Sequence, residues 1–100
     1  MVGFYTKFTT NAEDREKLVA LLSKASTSMK EVAGCKVYEV ALDAIDPTVT
    51  VATEIWADEA THDASLQGNT AKALIVQAMP LMAAPPKQIK LGPVVTSWFD

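Results

Sequence analysis

Two stretches of alternating side chains, residues 35–42 and 49–56, constrain the fold of this chain more than any other feature. The second stretch, Val49-Thr-Val-Ala-Thr-Glu-Ile-Trp56, is the richest run of β-branched residues in the sequence, and such residues favour strands. Between the two lies Asp43-Ala-Ile-Asp-Pro47, which has the Asp and Pro content of a turn. The pattern predicts two strands joined as an antiparallel hairpin.

The chain before this hairpin has the pattern of one strand and one long helix. Residues 2–9 alternate, with Val2, Phe4, Thr6 and Phe8 on one face. Apolar residues at helical spacing then predict a helix from an N-cap at Asn11 to about Lys30. Gly34 follows at a position suited to a left-handed turn before the next strand.

The chain after the hairpin has the pattern of a divided helical region and a last strand. Asp58 is predicted to cap a short helix at residues 59–66, and Gly68 allows a break before a second helical stretch that reaches Met82 and stops at Pro85-Pro86. Residues 87–99 are predicted as an irregular strand, because Gly92-Pro93 interrupts its alternation.

The order β-α-β-β-α-β predicts an α+β, ferredoxin-like split βαβ fold, with one antiparallel sheet and helices on one face. We expect residues 1–100 to form a single domain. Helices cover only one face of such a sheet, yet the second and third strands carry apolar side chains on both faces. The uncovered face therefore predicts a homodimer formed sheet to sheet.

Composition excludes several classes of function. The net charge is −3 with charges of both signs interspersed, which gives neither a basic surface for nucleic acid nor a basic amphipathic helix for a membrane. The apolar runs are shorter than the roughly 20 residues of a membrane span, and we expect a cytoplasmic protein. One Cys and one His provide no disulfide and no structural zinc site. Phosphate-loop, Gly-x-Ser-x-Gly, His-Glu-x-x-His and CxxC motifs are absent.

The junction between the third strand and the short helix carries the most useful chemistry. His62 shares a helix face with Glu59, Asp63 and Leu66, so burying Leu66 is expected to turn the imidazole inward, where it can act as a base. Trp56 can form the wall of a cavity and offer its N–H, and the Tyr38 hydroxyl can reach the same space. The alternative is that all three residues only pack and hydrogen-bond in the core. Cys35 has no base nearby in the sequence and is interpreted as a small buried residue.

In these segments the chain resembles the antibiotic biosynthesis monooxygenase domain family, the quinol-monooxygenase-like proteins of the dimeric α+β barrel group. The resemblance rests on the order and spacing of Glu31-Val-Ala-Gly-Cys-Lys-Val-Tyr38, Glu54-Ile-Trp56, Glu59-Ala-Thr-His62 and Ser65-Leu66. It implies a sheet-to-sheet dimer with a ligand cavity between sheet and helices. It also implies an oxidoreductase that needs no flavin, haem or metal and uses dioxygen on electron-rich phenols, quinols or anthrones.

The resemblance implies roles for three side chains. A deprotonated phenol can itself donate an electron to dioxygen, so the protein need only bind the substrate, remove a proton and stabilise the anion. His62 fits the base, and the Trp56 N–H or Tyr38 O–H fits a donor to the anion.

Other functions remain open on the same fold. One is a dimer that binds a small ligand without catalysis, and another is a cofactor-free isomerase, cyclase or decarboxylase that uses His62. Haem degradation is less consistent with this sequence. The haem-degrading branch has an Asn on the first strand, which this chain lacks, and a His about ten residues beyond the tryptophan, where this chain has Leu66.

Overall fold

A computed structural model describes residues 1–98. The helices and strands, in chain order, are β1 (Val2–Thr9), α1 (Arg15–Met29), β2 (Cys35–Leu42), β3 (Val49–Trp56), α2 (Glu59–Ser65), α3 (Asn69–Ala78) and β4 (Lys87–Leu91). The last strand was predicted over residues 87–99, but β4 ends at Leu91 and residues 92–98 form no strand, while Phe99 lies outside the described residues. Among residues 1–98, no helix is long and apolar enough to cross a membrane.

The four strands form one antiparallel sheet in the order β2-β3-β1-β4, with the three helices on one side. This arrangement confirms the predicted ferredoxin-like α+β fold, the β2–β3 hairpin and the division of the second helical region. In the central strand β3, Glu54 pairs with Phe4 of β1 and with Tyr38 of β2. Because paired residues in a sheet share a face, these three side chains all point towards the helices.

The alternation predicted for β2 is wrong at the first residue of the strand. Cys35 pairs with Trp56 and Val37 pairs with Ile55, and the register shifts between Cys35 and Val37. Such a bulge sets two residues of one strand against one residue of its partner. Cys35 therefore lies on the face of Trp56, whereas the sequence pattern had placed it with Val37 on the opposite face.

Two helix boundaries differ from the sequence pattern. Asn11 makes no side-chain cap, because the chain enters α1 through a 3₁₀ turn in which the Asp14 N–H donates to the Asn11 carbonyl at 3.0 Å. α3 ends at Ala78, and a 3₁₀ turn at Met79–Leu81 follows. Pro80 explains this end, since a proline in a helix removes a backbone donor and clashes with the preceding turn. The predicted cap at Asp58 is confirmed, with Oδ1 accepting from the Thr61 N–H at 2.7 Å.

The core lies between the sheet and α1. The apolar side chains buried there are those of Phe4, Leu18, Leu22, Ala52 and Trp56, and Val49 at the start of β3 is also buried, although strand alternation sets it on the other face. Each large apolar side chain among them contributes about 1.5–3 kcal/mol through removal from water. The other face of the sheet has no helix over it, and Tyr5, Ile89 and Leu91 are exposed there.

Gly34 is predicted to be the glycine that least tolerates a side chain. Its φ is +94°, and a Cβ at this position would lie 2.7 Å from Cγ2 of Thr61 in α2. Gly34→Ala should therefore lower the free energy of unfolding by at least about 1–2 kcal/mol, measured by urea denaturation. Gly68→Ala is the matched control, because Gly68 has φ −68° and an added Cβ would make only an ordinary contact at 3.8 Å. Equal losses in the two variants would contradict this explanation.

Candidate functional site

A cavity of ≈ 910 Å³ lies between the sheet and the helices. Its walls come from β1, from α1 and α3, and from the segment 79–86 that connects α3 to β4. Most of the lining side chains are apolar, including Leu22, Met29 and Leu74. A space of this size and character is typical of a site for a small organic molecule.

Among residues 1–98, three ionisable side chains line this apolar cavity, and each comes from a different element. They are Tyr38 of β2, Glu54 of β3 and His62 of α2. Strand pairing brings the first two together, and the carbonyl of Tyr38 accepts a 3.0 Å hydrogen bond from the hydroxyl of Ser26, which ties β2 to α1. The cavity therefore combines a large apolar surface with one group of acid–base side chains.

His62 is held by aromatic rings on two sides. Its ring stacks on Phe4 with a centroid distance of 3.8 Å and an interplanar angle of 18°, and it meets Trp56 edge-on at 5.5 Å. The residue is only 6% exposed. The cap at Asp58 sets the start of α2, and this start places His62 on the face of the helix that contacts the sheet. Ring packing and capping together fix the direction of the imidazole.

Each ring nitrogen of His62 lies near a carboxylate oxygen. Nδ1 is 3.0 Å from Oδ1 of Asp63, and Nε2 is 3.9 Å from Oε1 of Glu54. A carboxylate can only accept a hydrogen bond, so in the pair with Asp63 the hydrogen belongs to Nδ1. In the neutral ring this leaves a lone pair on Nε2, which is the nitrogen beside Glu54. Nε2 is therefore the atom that can take a proton from a bound molecule.

Glu54 is a buried carboxyl group that sequence reasoning did not single out as functional. It is 9% exposed, and its Oε1 accepts a 3.1 Å hydrogen bond from the indole N–H of Trp56. Burial raises the pKa of Glu54, whereas the hydrogen bond from Trp56 and the nearby His62 act in the opposite direction. The inward facing of Glu54 could have been predicted from the sequence, because strand alternation places it on the same face as Ala52 and Trp56.

Burial also acts on the two ionisable side chains of β2 near Glu54. Burial first, and then the charge of Glu54, raises the pKa of the Tyr38 phenol well above its ordinary value and raises that of the Cys35 thiol. The phenol therefore stays protonated at neutral pH and can donate a hydrogen bond. The thiol of Cys35 is disfavoured as a thiolate, which agrees with its interpretation as a small packed residue.

The three predicted site residues lie close together, but only two of them line the cavity. His62 and Tyr38 line the cavity, whereas Trp56 is 0% exposed, lies behind His62 and Glu54, and does not line it. Its N–H donates to Glu54 and not into the cavity, where we had expected it. Leu66 is 41% exposed and not buried with His62 as predicted, because its side chain faces the open cavity. Within residues 1–98, no group of three or more His, Cys, Asp or Glu side chains is arranged to hold a metal ion.

The chain belongs to the antibiotic biosynthesis monooxygenase family, whose model matches residues 1–77. This match agrees with the resemblance carried by the strand and helix motifs. No protein with a curated functional description matches the chain.

Solved structures share the fold over nearly the whole chain. A candidate antibiotic biosynthesis monooxygenase from Chloroflexus aurantiacus J-10-fl is 28% identical, with 99% of this chain and 98% of that chain covered and a TM-score of 0.86. A protein from Mycobacterium tuberculosis is 22% identical, with 97% and 98% covered and a TM-score of 0.88. An antibiotic biosynthesis monooxygenase at 17% identity covers 94% and 99%, with a TM-score of 0.86. The likeness to the last two shows the fold alone.

Replacing Glu54 by Gln should change how stability depends on pH. Its pKa is raised in the folded protein, so the folded state holds this proton to a higher pH than the unfolded chain, whose ordinary value is 4.5. The contribution of Glu54 to the free energy of unfolding therefore falls as the pH rises above 4.5. We expect the free energy of unfolding of Glu54→Gln, relative to the unsubstituted protein, to be higher at pH 7 than at pH 4 in urea denaturation.

The ionisable groups that face Glu54 are His62 of α2 and Tyr38 and Cys35 of β2, and all three are retained in this variant. Glu31→Gln, on the exposed turn that follows α1, controls for the loss of one negative charge. A difference that is constant from pH 4 to pH 7, or that decreases, would contradict the assignment of a raised pKa to Glu54.

Proposed function

We propose that this protein is a cytoplasmic, homodimeric monooxygenase that oxidises a small aromatic quinol, phenol or anthrone without a cofactor. The observation that supports it best is the position of His62. A buried imidazole whose Nδ1 is paired with Asp63 places Nε2 at an apolar cavity of ≈ 910 Å³. Membership of the antibiotic biosynthesis monooxygenase family agrees with this chemistry.

The proposed reaction begins with loss of a proton from the substrate. The hydroxyl group of a bound phenol gives its proton to Nε2 of His62, and the electron pair of the broken O–H bond stays on the oxygen. Tyr38 donates its O–H to the anion, which the raised pKa of this phenol allows at neutral pH. The anion is electron-rich and can pass an electron to dioxygen, which is the second substrate.

Trp56 has an indirect part in this proposal. It contacts His62 edge-on and donates its N–H to Glu54, so it is a positioning residue for both groups. The roles predicted for His62 and Tyr38 as groups that contact the substrate are kept, and that of Trp56 as a donor to the anion is replaced by this positioning role.

A dimer that binds a small apolar ligand without catalysis is the second candidate. It is favoured by the composition of the cavity wall, in which the apolar side chains of α1 and α3 outnumber the three ionisable side chains. The two candidates differ in one measurement, because only the monooxygenase consumes oxygen when a quinol is added.

The uncovered face of the sheet supports the proposed homodimer. On this face lie Val37 of β2, Ile55 of β3, Tyr5 of β1 and Ile89 of β4. Exposed apolar patches of this kind mark protein interfaces. A second copy of the chain placed face to face would bury the patch symmetrically.

We predict that His62→Ala lowers the rate of oxygen uptake by at least about 10²-fold with a hydroquinone or anthrone substrate, because general bases contribute factors of about 10²–10⁴. Oxygen-electrode assays measure this rate directly. His62→Gln keeps a polar group of similar length but provides no comparable base, so it should lose activity to the same degree. Undiminished turnover in a folded His62 variant would exclude the proposed base.

Ile55→Lys is predicted to convert the dimer into a monomer. Ile55 is in the central strand and pairs with Gly3 and Val37, so a lysine there would bring two charges into the middle of the interface. Sedimentation velocity measures the change in mass. Gln67→Lys, on the exposed turn between α2 and α3, is the matched control and should leave the mass unchanged. A dimer that persists in Ile55→Lys would show that the copies meet elsewhere.

A further inference from the structure

The two oxygens of the Glu54 carboxyl group differ in their surroundings. Oε1 accepts the indole N–H of Trp56 at 3.1 Å and is 3.9 Å from Nε2 of His62. Within residues 1–98, the hydrogen bonds of this side chain involve Oε1 alone. A carboxylate has about four lone-pair sites, so Oε2 remains available as an acceptor.

The carboxyl group of Glu54 lies at the wall of the cavity. The side chain is 11% exposed and lies between the neighbouring strands, with Phe4 on one side and Tyr38 on the other. It also lines the cavity together with His62. Oε2 is not among the buried side-chain atoms of residues 1–98 that lack a partner, so it is open to solvent in the cavity. A ligand that fills the cavity displaces this solvent. Because burying a carboxyl oxygen without a hydrogen bond is costly, a polar group of the ligand would have to replace the lost partner.

The chemistry of a carboxylate limits what that polar group can be. An ionised carboxylate accepts hydrogen bonds and cannot donate them, so it recognises an O–H or N–H and discriminates against an ether or ketone oxygen. A hydroxyl group bound at Glu54 would lie beside Nε2 of His62, because the carboxyl group and that nitrogen are neighbours.

We propose that Glu54 anchors the ligand through Oε2, which accepts a hydrogen bond from a ligand hydroxyl group and holds that group beside Nε2 of His62. The site then selects an aromatic molecule with a free hydroxyl at one end and an apolar body in the rest of the cavity. This inference deepens the proposed function and rests on it for the identity of the reaction. Before transfer, the hydroxyl hydrogen rotates about the C–O bond from Oε2 of Glu54 to the neighbouring Nε2 of His62. When the O–H bond then breaks, the proton bonds to Nε2 and the electron pair stays on the ligand oxygen. The positive charge on His62 offsets the repulsion between Glu54 and the new anion.

The experiment compares three ligands of one ring system: 1-naphthol, 1-methoxynaphthalene and naphthalene. Calorimetric titration at pH 7 should show that the unsubstituted protein binds 1-naphthol roughly 10-fold more tightly than either of the others, as expected for one hydrogen bond to a charged group. In Glu54→Gln, the amide N–H₂ that replaces Oε2 donates equally to a hydroxyl or a methoxy oxygen. The preference for 1-naphthol over 1-methoxynaphthalene should then fall to within about 2-fold. Glu59→Gln, an exposed change on α2, is the matched control and should keep the preference.

A second measurement does not depend on a variant. In the unsubstituted protein, 1-naphthol should shift the carboxyl-carbon NMR resonance of Glu54, and naphthalene should not. The anchor is overturned if Glu54→Gln keeps the preference, if the unsubstituted protein shows none, or if no probe binds.

Oxygen uptake distinguishes this inference from the proposed function. If 1-naphthol is preferred through Glu54 but no quinol drives oxygen uptake, the anchor stands and the monooxygenase proposal fails. If uptake is rapid while Glu54→Gln retains both the uptake and the preference, the monooxygenase proposal stands and the anchor is wrong.

Discussion

The register of β3 between β1 and β2 is the constraint on which the rest of this structure depends. Glu54 and Trp56 face the helices only because this strand pairs with Phe4 on one side and Tyr38 on the other. A slip of one residue would turn both side chains to the open face and bring Ile55 inward. The apolar residues on both faces of the strand oppose such a slip less than a purely amphipathic pattern would. The register of β3 is therefore also fixed by the hairpin turn, where Oδ1 of Asp43 accepts hydrogen bonds from the N–H groups of Ile45 and Asp46.

The site places acid–base groups where a stable protein would place apolar ones. Glu54 and His62 are both buried, and the raised pKa of the carboxyl group reflects the energetic cost of its charge in that position. The surrounding contacts limit this cost, since Phe4 stacks on the imidazole and the indole N–H of Trp56 is hydrogen-bonded to the carboxyl group. The same burial keeps these groups away from bulk water, so their interactions with a ligand are strong.

Most of the fold was predictable from the sequence, because periodicity reports which face of each element is buried. The strands 2–9, 35–42 and 49–56 were predicted with the boundaries that the structure shows, and the cap at Asp58 was correct. Periodicity could not reveal the bulge after Cys35, which depends on pairing with another strand, nor the early end of α3 at a 3₁₀ turn.

The candidate site was predictable only in part. The inward direction of His62 followed from helical spacing, although Leu66, on which that argument relied, faces an open cavity. The facing of Glu54 followed from strand alternation, but the partner of the Trp56 N–H depends on the conformations of two side chains of β3, which periodicity does not report.

Gly34 connects the edge of the sheet to the helix that carries His62. Its carbonyl accepts the Ala57 N–H at 2.7 Å, and its missing Cβ makes room for the methyl group of Thr61. The closeness of α2 to the sheet, and with it the depth at which the imidazole lies, is therefore set by a residue that has no functional group. A side chain at Gly34 would therefore displace the imidazole without itself lining the cavity.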